Sequence, residues 1–435
     1  MLEFIRNLGR QKPRTFIAPR TAAPLAWGVD LSYDALLKLT FQIEKITISK
    51  DDQQMLRGIR EHRVLHFSNH PTFAEPAIAY HVANVMGSRF NYMASRTLFD
   101  WAGGAIGEFI RSLGAFSVLA GAADRESLKM ARQVLAKNKG KLVLYPEGMN
   151  NFENDNMVPF QPGAAQIAFW GLTDALKQDA AADITVLPSF VKYIISGTPE
   201  QQRRALGMSI ARLEQRLGID PGERNLLRRF LTTGRVLMER TEAEYGIAPG
   251  QDKHQFPERV RALRHRILDQ VAETIELTGY DPDDNVITKI RKLYLIVETV
   301  NAGFPDPRLA GVKKEVIQDA EKKLRLAYNF STFDPRYLLE RPTAERFYEW
   351  LNRFEKITLG KSKERSRSAR LLFAPTFRLS EYWHEYGHDK RGTVEALTRR
   401  LRCDLEQLME QAVLLTVPIV KPWDAGADLT AVYHP

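Results

Sequence analysis

The chain has 435 residues, 44% of them hydrophobic and 26% charged. That balance excludes a disordered polymer, and the length admits two or three domains or one core carrying a large insertion. A formal net charge of +9 favours polyanionic partners such as anionic headgroups or phosphorylated substrates and carriers.

The single cysteine, Cys403, excludes an intramolecular disulfide and suits a reducing compartment. The opening MLEFIRNLGRQKPR has neither the apolar core nor the cleavage site of a signal peptide. The most apolar long stretch, 101–123, is broken by Glu108 and Arg111. A spanning helix is therefore not expected, and a peripheral membrane protein stays open.

Residues 1–60 read as a mainly helical region, with the amphipathic segment PLAWGVDLSYDALLKLTFQIEKI at its centre. Residues 61–199 alternate strand and helix signals. Val64 to Ser68 is a strand ending in Asn69-His70-Pro71, and a helix follows from Glu75-Pro76 with proline in its first turn. Ala115 to Leu119 is a second strand. Asp124 to Asn138 is a helix with Leu128, Ala131, Val134 and Leu135 on one face and Gly140 beyond its end. Lys141 to Tyr145 is a third strand, running into Pro146-Glu147-Gly148, and Ile184 to Tyr193 is a fourth. The alternation predicts an α/β core: a mixed, partly parallel sheet flanked by helices.

Residues 200–365 change character. Charged helical periods dominate, no strand signal appears, and the segment reads as a large helical insertion. A basic loop, GKSKERSRSAR, closes it. Residues 366–435 return to the core, with a strand from Leu371 to Phe377, a helix from Thr393 to Ala412 and one more strand from Val413 to Val420.

The chemistry concentrates at two strand ends. In Ser68-Asn69-His70-Pro71-Thr72-Phe73-Ala74-Glu75, a histidine is followed five positions later by a carboxylate at the mouth of a helix. A turn between them brings Glu75 to one imidazole nitrogen. The carboxylate fixes the tautomer, and the other nitrogen can take a proton from a hydroxyl. This is a triad whose nucleophile belongs to the substrate. At the second strand end, Tyr145-Pro146-Glu147-Gly148, glycine allows close backbone approach and turn amides can meet an anion.

The order of these blocks resembles the glycerol-3-phosphate/1-acylglycerol-3-phosphate acyltransferase family. The resemblance runs through Asn69-His70 to Glu75, Met93-Ala94-Ser95-Arg96-Thr97-Leu98-Phe99, Leu113-Gly114-Ala115-Phe116-Ser117-Val118, Tyr145-Pro146-Glu147-Gly148 and Val186-Leu187-Pro188-Ser189-Phe190. It implies transfer of a fatty acyl group from acyl-CoA or acyl-carrier protein to a hydroxyl of a glycerol phosphate or lysophospholipid. By position, His70 would be the general base and Glu75 its orienting partner. Glu147 and Gly148 would line the acceptor site beside Asn69. The pattern is departed from at three places. Glu75 stands for the usual aspartate, Ala120-Gly121 stand where an arginine follows the second block, and Met149-Asn150 stand for Thr-Arg. Arg96, Arg125 and Lys192 are then the candidate substitutes for the missing anion-binding arginines. No bound cofactor is implied, and nucleic acid is not an expected partner.

Two other motifs compete with this reading. His384-Glu385-Tyr386-Gly387-His388 matches the H-E-x-x-H pattern of zinc hydrolases, with Glu406 as a possible third ligand. Gly387 weakens the helix that pattern needs, and Asp389-Lys390 add charge. DPDDN at 281–285 opens like a calcium loop, but Val286 and Lys292 occupy its glycine and glutamate positions. It reads as a helix N-terminus. A catalytically weak lipid- or carrier-binding protein on the same fold is the other alternative. The expected location is cytoplasmic, peripheral on the inner face of the membrane. The stretch from Leu25 to Ile46 would supply apolar contact, and Lys361, Lys363, Arg365, Arg367 and Arg370 would attract anionic headgroups.

Overall fold

In a computed structural model of the chain, the described residues are 16–119, 124–247, 256–301, 303, 309, 312–330 and 333–423. Among the described residues eight strands form one mixed sheet flanked by helices. In chain order the first part comprises α1 (Ala23–Phe41), β1 (Ile43–Thr47), α2 (Lys50–Gly58), β2 (Arg63–Ser68), α3 (Glu75–Met86), β3 (Asn91–Ser95), a 3₁₀ segment (Arg96–Gly104) and α4 (Ala105–Ser112). Then come β4 (Ala115–Val118), α5 (Arg125–Ala136), β5 (Lys141–Leu144), α6 (Pro162–Leu176) and β6 (Ile184–Ile195).

The strands lie in the order β1-β7-β6-β2-β5-β3-β4, where β7 is Arg367–Phe373; the two-residue β8 (Phe377–Arg378) also pairs with β6. Pairing from β6 through β2, β5 and β3 to β4 is parallel. The central strands Arg63–Ser68 and Lys141–Leu144 are covered on both faces, so burial runs along both almost without a break. One face carries a core around Tyr33, Ile78, Val82, Val143 and Leu187. The other centres on Phe67, Phe116, Leu135, Phe169 and Leu397. Parallel pairing of β2 and β5 puts the ends of both strands, and hence both motif loops, at one edge of the sheet. That is where α/β folds place their sites.

The insertion is built from α7 (Pro199–Leu217), α8 (Leu226–Glu244), α9 (Phe256–Thr274), α10 (Val286–Asn301), α11 (Lys314–Asn329), α12 (Pro335–Glu340) and α13 (Ala344–Leu359). It has its own apolar core, which includes Leu213, Phe230, Leu263, Ile290, Leu324, Phe347 and Trp350. DPDDN does precede a helix: Asn285 Oδ1 accepts from the Thr288 N–H at 2.9 Å and caps α10.

β7 then enters the sheet between β1 and β6, antiparallel to β6 and parallel to β1. It is followed by α14 (Trp383–His388) and α15 (Lys390–Val413). The basic loop ends earlier than its composition suggests, because Arg367 to Arg370 already belong to β7. Arg367 packs its guanidinium over the Tyr193 ring, 4.5 Å from the centroid, and this keeps its charge compatible with a strand position.

Three expectations fail. The N-terminal region contains a strand, β1, paired to β7. β3, between β5 and β4, was not foreseen as a strand. Residues 413–420 form no strand: α15 runs to Val413, Leu414 and Val417 are exposed, and Pro418 makes only an isolated bridge to Thr343. Proline has no N–H to continue a ladder.

Candidate active site

The chain leaves β2 at Ser68 and must turn before α3 begins at Glu75. Asn69 fixes that exit. Fully buried, it extends the ladder to β6 through its side chain: Nδ2 donates to the Val191 carbonyl at 3.0 Å, and Oδ1 accepts from the Val191 N–H at 2.7 Å. Asn69 therefore braces the loop rather than facing a ligand. Glu75 sits in the first turn of α3, where the helix dipole favours a carboxylate.

His70 Nδ1 lies 2.7 Å from Glu75 Oε2. Glu75 is almost fully buried and collects further donors. The Thr72 N–H meets Oε2 at 3.0 Å, while the Thr72 hydroxyl at 2.6 Å and the Tyr193 hydroxyl at 2.5 Å meet Oε1. Burial raises the pKa of this carboxyl. Hydrogen bonds from His70, Thr72 and Tyr193 outweigh that and hold it below the ordinary value. Burial and the Glu75 charge push the Tyr193 phenol well up, so it remains a donor.

The His70 ring stacks on Tyr145, with centroids 4.2 Å apart and planes 16° from parallel. Its side chain keeps 17% exposure. The Asn150 amide nitrogen lies 3.2 Å from each ring nitrogen and also donates to the Thr72 carbonyl. Asn150 entered the sequence reading only as a departure from Thr-Arg, yet it reaches the histidine.

Glu147 holds the two loops together. Its Oε1 accepts the His70 N–H at 2.8 Å, and Oε2 accepts from the Val158 N–H at 2.9 Å and the Asn151 amide at 3.0 Å. Burial pushes its carboxyl up to about 7, against the pull of the His70 and Val158 amides. Gly148 has φ +69°, and a Cβ there would lie 2.0 Å from Gln161 Nε2, so the turn needs glycine.

The three candidate cations have different surroundings. Arg96 is buried and pairs with Asp100 at 2.7 Å. Arg125 is exposed in the first turn of α5. Lys192 is fully enclosed and paired with Asp155, which leaves its ammonium no route to a substrate. Ala120 and Gly121 lie outside the described residues.

The zinc alternative does not assemble. His384 and His388 are neighbours on the six-residue α14, but Glu406 is ion-paired with Arg402 at 2.6 Å. Among the described residues no group of three potential ligands converges.

A buried carboxylate locked to one nitrogen of a part-exposed imidazole, at the open edge of a parallel sheet, is an arrangement able to move a proton. Residues 46–192 match the family model described as Acyltransferase. The chain carries an acyltransferase domain. It is the domain of the glycerol-3-phosphate/1-acylglycerol-3-phosphate acyltransferase family. The match spans β1 to β6 and so contains both motif loops, while the helical insertion and β7 lie beyond it. No curated protein matches the chain.

Sequence reasoning missed Tyr193 and Asn150 as neighbours of the His70–Glu75 pair. Tyr193 had one usable signal: it follows Lys192 in an apolar strand, so the two must point to opposite faces.

Proposed function

We propose that the protein moves a fatty acyl group from acyl-CoA or acyl-carrier protein to a hydroxyl of a glycerol phosphate or lysophospholipid-type acceptor. The observation that carries this reading is the 2.7 Å contact between His70 Nδ1 and the buried Glu75 carboxylate. Glu75 fixes the ring with a proton on Nδ1, so Nε2 accepts the proton of the acceptor hydroxyl. The hydroxyl oxygen forms a bond to the thioester carbonyl carbon, and the C–S bond breaks. The thiolate leaves and takes the proton back from Nε2. The products are an ester and a free thiol. Glu75 stabilises the imidazolium between the two transfers.

A lysophospholipid acceptor would bring the reaction to a lipid surface. Among the described residues no helix is long and apolar enough to cross a membrane. α1 supports an interfacial contact instead. Its buried stripe is Ala26, Val29, Tyr33 and Leu37, while Trp27, Leu31 and Leu39 on the outer side are 66%, 92% and 78% exposed. Trp101, Ile106 and Phe109 add exposed apolar surface at the 3₁₀ segment and α4. The basic run contributes less than its composition suggests. Arg365 is paired with Glu355 and Arg367 lies on Tyr193, which leaves Lys361 and Lys363 exposed.

The test is thiol release from oleoyl-CoA and an oleoyl-carrier protein in the presence of glycerol 3-phosphate, lysophosphatidate or a neutral monoacylglycerol, with lipid product analysis. Acceptor-dependent thiol release that disappears in His70→Ala is the expected result. Release that is independent of both acceptor and His70 would overturn it.

A further inference from the structure

We propose that Arg291, which the helical insertion lends to the acyltransferase centre, holds a phosphate of the substrate, that of the acceptor first. The inference rests on the acyl-transfer reading above.

Arg291 lies on α10 and reaches across to the loop that follows β5. Its Nη2 donates to the Glu147 carbonyl at 2.8 Å and to the Pro159 carbonyl at 3.0 Å. Glu147 is the residue whose carboxylate accepts the His70 N–H. The guanidinium is thus anchored one residue away from the backbone of the proton-transfer histidine.

Its partners are neutral. Among the described residues no carboxylate pairs with Arg291, whereas two other insertion arginines that reach the loop after β5 do find one. Arg346 meets Asp155 at 3.1 Å and Arg353 meets Glu153 at 2.8 Å. Arg291 Nε is buried and has no hydrogen-bond partner. Burial lowers the pKa of the guanidinium, with the Glu147 charge opposing.

A half-buried cation with carbonyl anchors keeps its full charge and an unused N–H. Leaving both unmatched is costly, and an anion that arrives with the substrate removes the cost. Phosphate suits this role because guanidinium meets it with short, charge-assisted hydrogen bonds. An acceptor of the glycerol phosphate type carries its phosphate a few bonds from the reacting hydroxyl, and Arg291 and His70 both bind Glu147. The anchoring carbonyls restrict the side chain before binding, so less entropy is lost on contact.

The donor also carries phosphates, and the experiment separates the two sources. Initial rates are measured for the wild type, Arg291→Gln and Arg291→Lys. The acceptor is lysophosphatidate or a monoacylglycerol of the same chain; the donor is oleoyl-CoA or the phosphate-free oleoyl-N-acetylcysteamine thioester. Arg291→Gln is expected to raise the KM for lysophosphatidate by about tenfold or more. The KM for monoacylglycerol and kcat should change little, and Arg291→Lys should recover part of the loss. A KM rise confined to oleoyl-CoA upholds the phosphate contact and assigns it to the donor. Equal changes with phosphorylated and phosphate-free substrates overturn the proposal and make Arg291 a tether for the insertion.

Titration calorimetry with glycerol 3-phosphate, on variants whose melting temperature stays near that of the wild type, gives a readout independent of catalysis. If the wild type transfers no acyl group, the acyl-transfer reading fails. Arg291 is still judged: binding lost in Arg291→Gln supports it, and absent or unaltered binding rejects it.

Discussion

Neighbouring residues on β6 serve two buried clusters of opposite character. Tyr193 points to the α3 face and donates to Glu75, which in turn grips His70. Lys192 points to the other face and pairs with Asp155, which also receives the Arg346 guanidinium at 3.1 Å. Lys192 and Asp155 are sealed completely, and that cluster joins the sheet to helix α13 of the insertion. The His70 cluster is just as rich in hydrogen bonds, yet the imidazole keeps an edge open to solvent. Burial of charge is therefore a poor marker of chemistry by itself. What separates the two is whether a titratable atom remains accessible after its neighbours have been satisfied.

The widest contrast should come from deleting one group on each side. His70→Ala is expected to lower kcat/KM for acyl transfer by about a hundredfold or more without unfolding the protein, as for loss of a general base. Activity near the wild-type level in initial-rate assays would remove His70 from the mechanism. Glu75→Gln should cost less, because Nε2 remains in place while its orientation and charge support weaken. Tyr193→Phe, which removes one of the four donors to Glu75, should cost least.

On the sealed side the sign of the outcome reverses. Lys192→Met leaves Asp155 buried with Arg346 as its remaining cation and should destabilise the fold by about 3–5 kcal/mol in denaturant titrations. The folded fraction should keep nearly full specific activity. A variant that is stable but inactive would show that Lys192 takes part in chemistry, contrary to its enclosure.

The comparison also explains what could be read from the sequence. His70 and Glu75 are five positions apart across one turn, so strand end and helix start together place them in contact. The parallel core was equally legible, since doubly covered strands such as Lys141–Leu144 are mostly apolar. Tyr193, Asn150 and Arg291 reach the site over sequence separations of 118, 80 and 144 positions from their partners there. No local pattern encodes such meetings. β1 escaped notice because Glu44 and Lys45 are exposed within a five-residue strand at the sheet edge. The error at 413–420 has the opposite cause. Its apolar residues suggested a strand, but several face solvent and Pro418 cannot extend a ladder.

The smallest expected effect probes the sealed side through pH. Glu349 on α13 is largely screened from solvent; it accepts from the Asn154 N–H at 2.9 Å and the Tyr337 hydroxyl at 2.8 Å. Burial, together with the charges of Asp155 and Glu153, pushes its carboxyl up to about 8 from an ordinary 4.5. The folded protein therefore retains a proton that the unfolded chain releases between those values. Stability is at its full value below the unfolded pKa and declines as pH rises through the window, with a limiting slope of about 1.4 kcal/mol per pH unit for one proton. Glu349→Gln keeps the shape and removes the titration, so its stability should fall less steeply from pH 5 to pH 8. Some slope should survive, because Glu147, raised to about 7, acts in the same direction. Denaturant titrations of both proteins across that range give the comparison. Parallel stability curves would mean that Glu349 is ionised in the folded state, with its charge offset by the cations around Asp155.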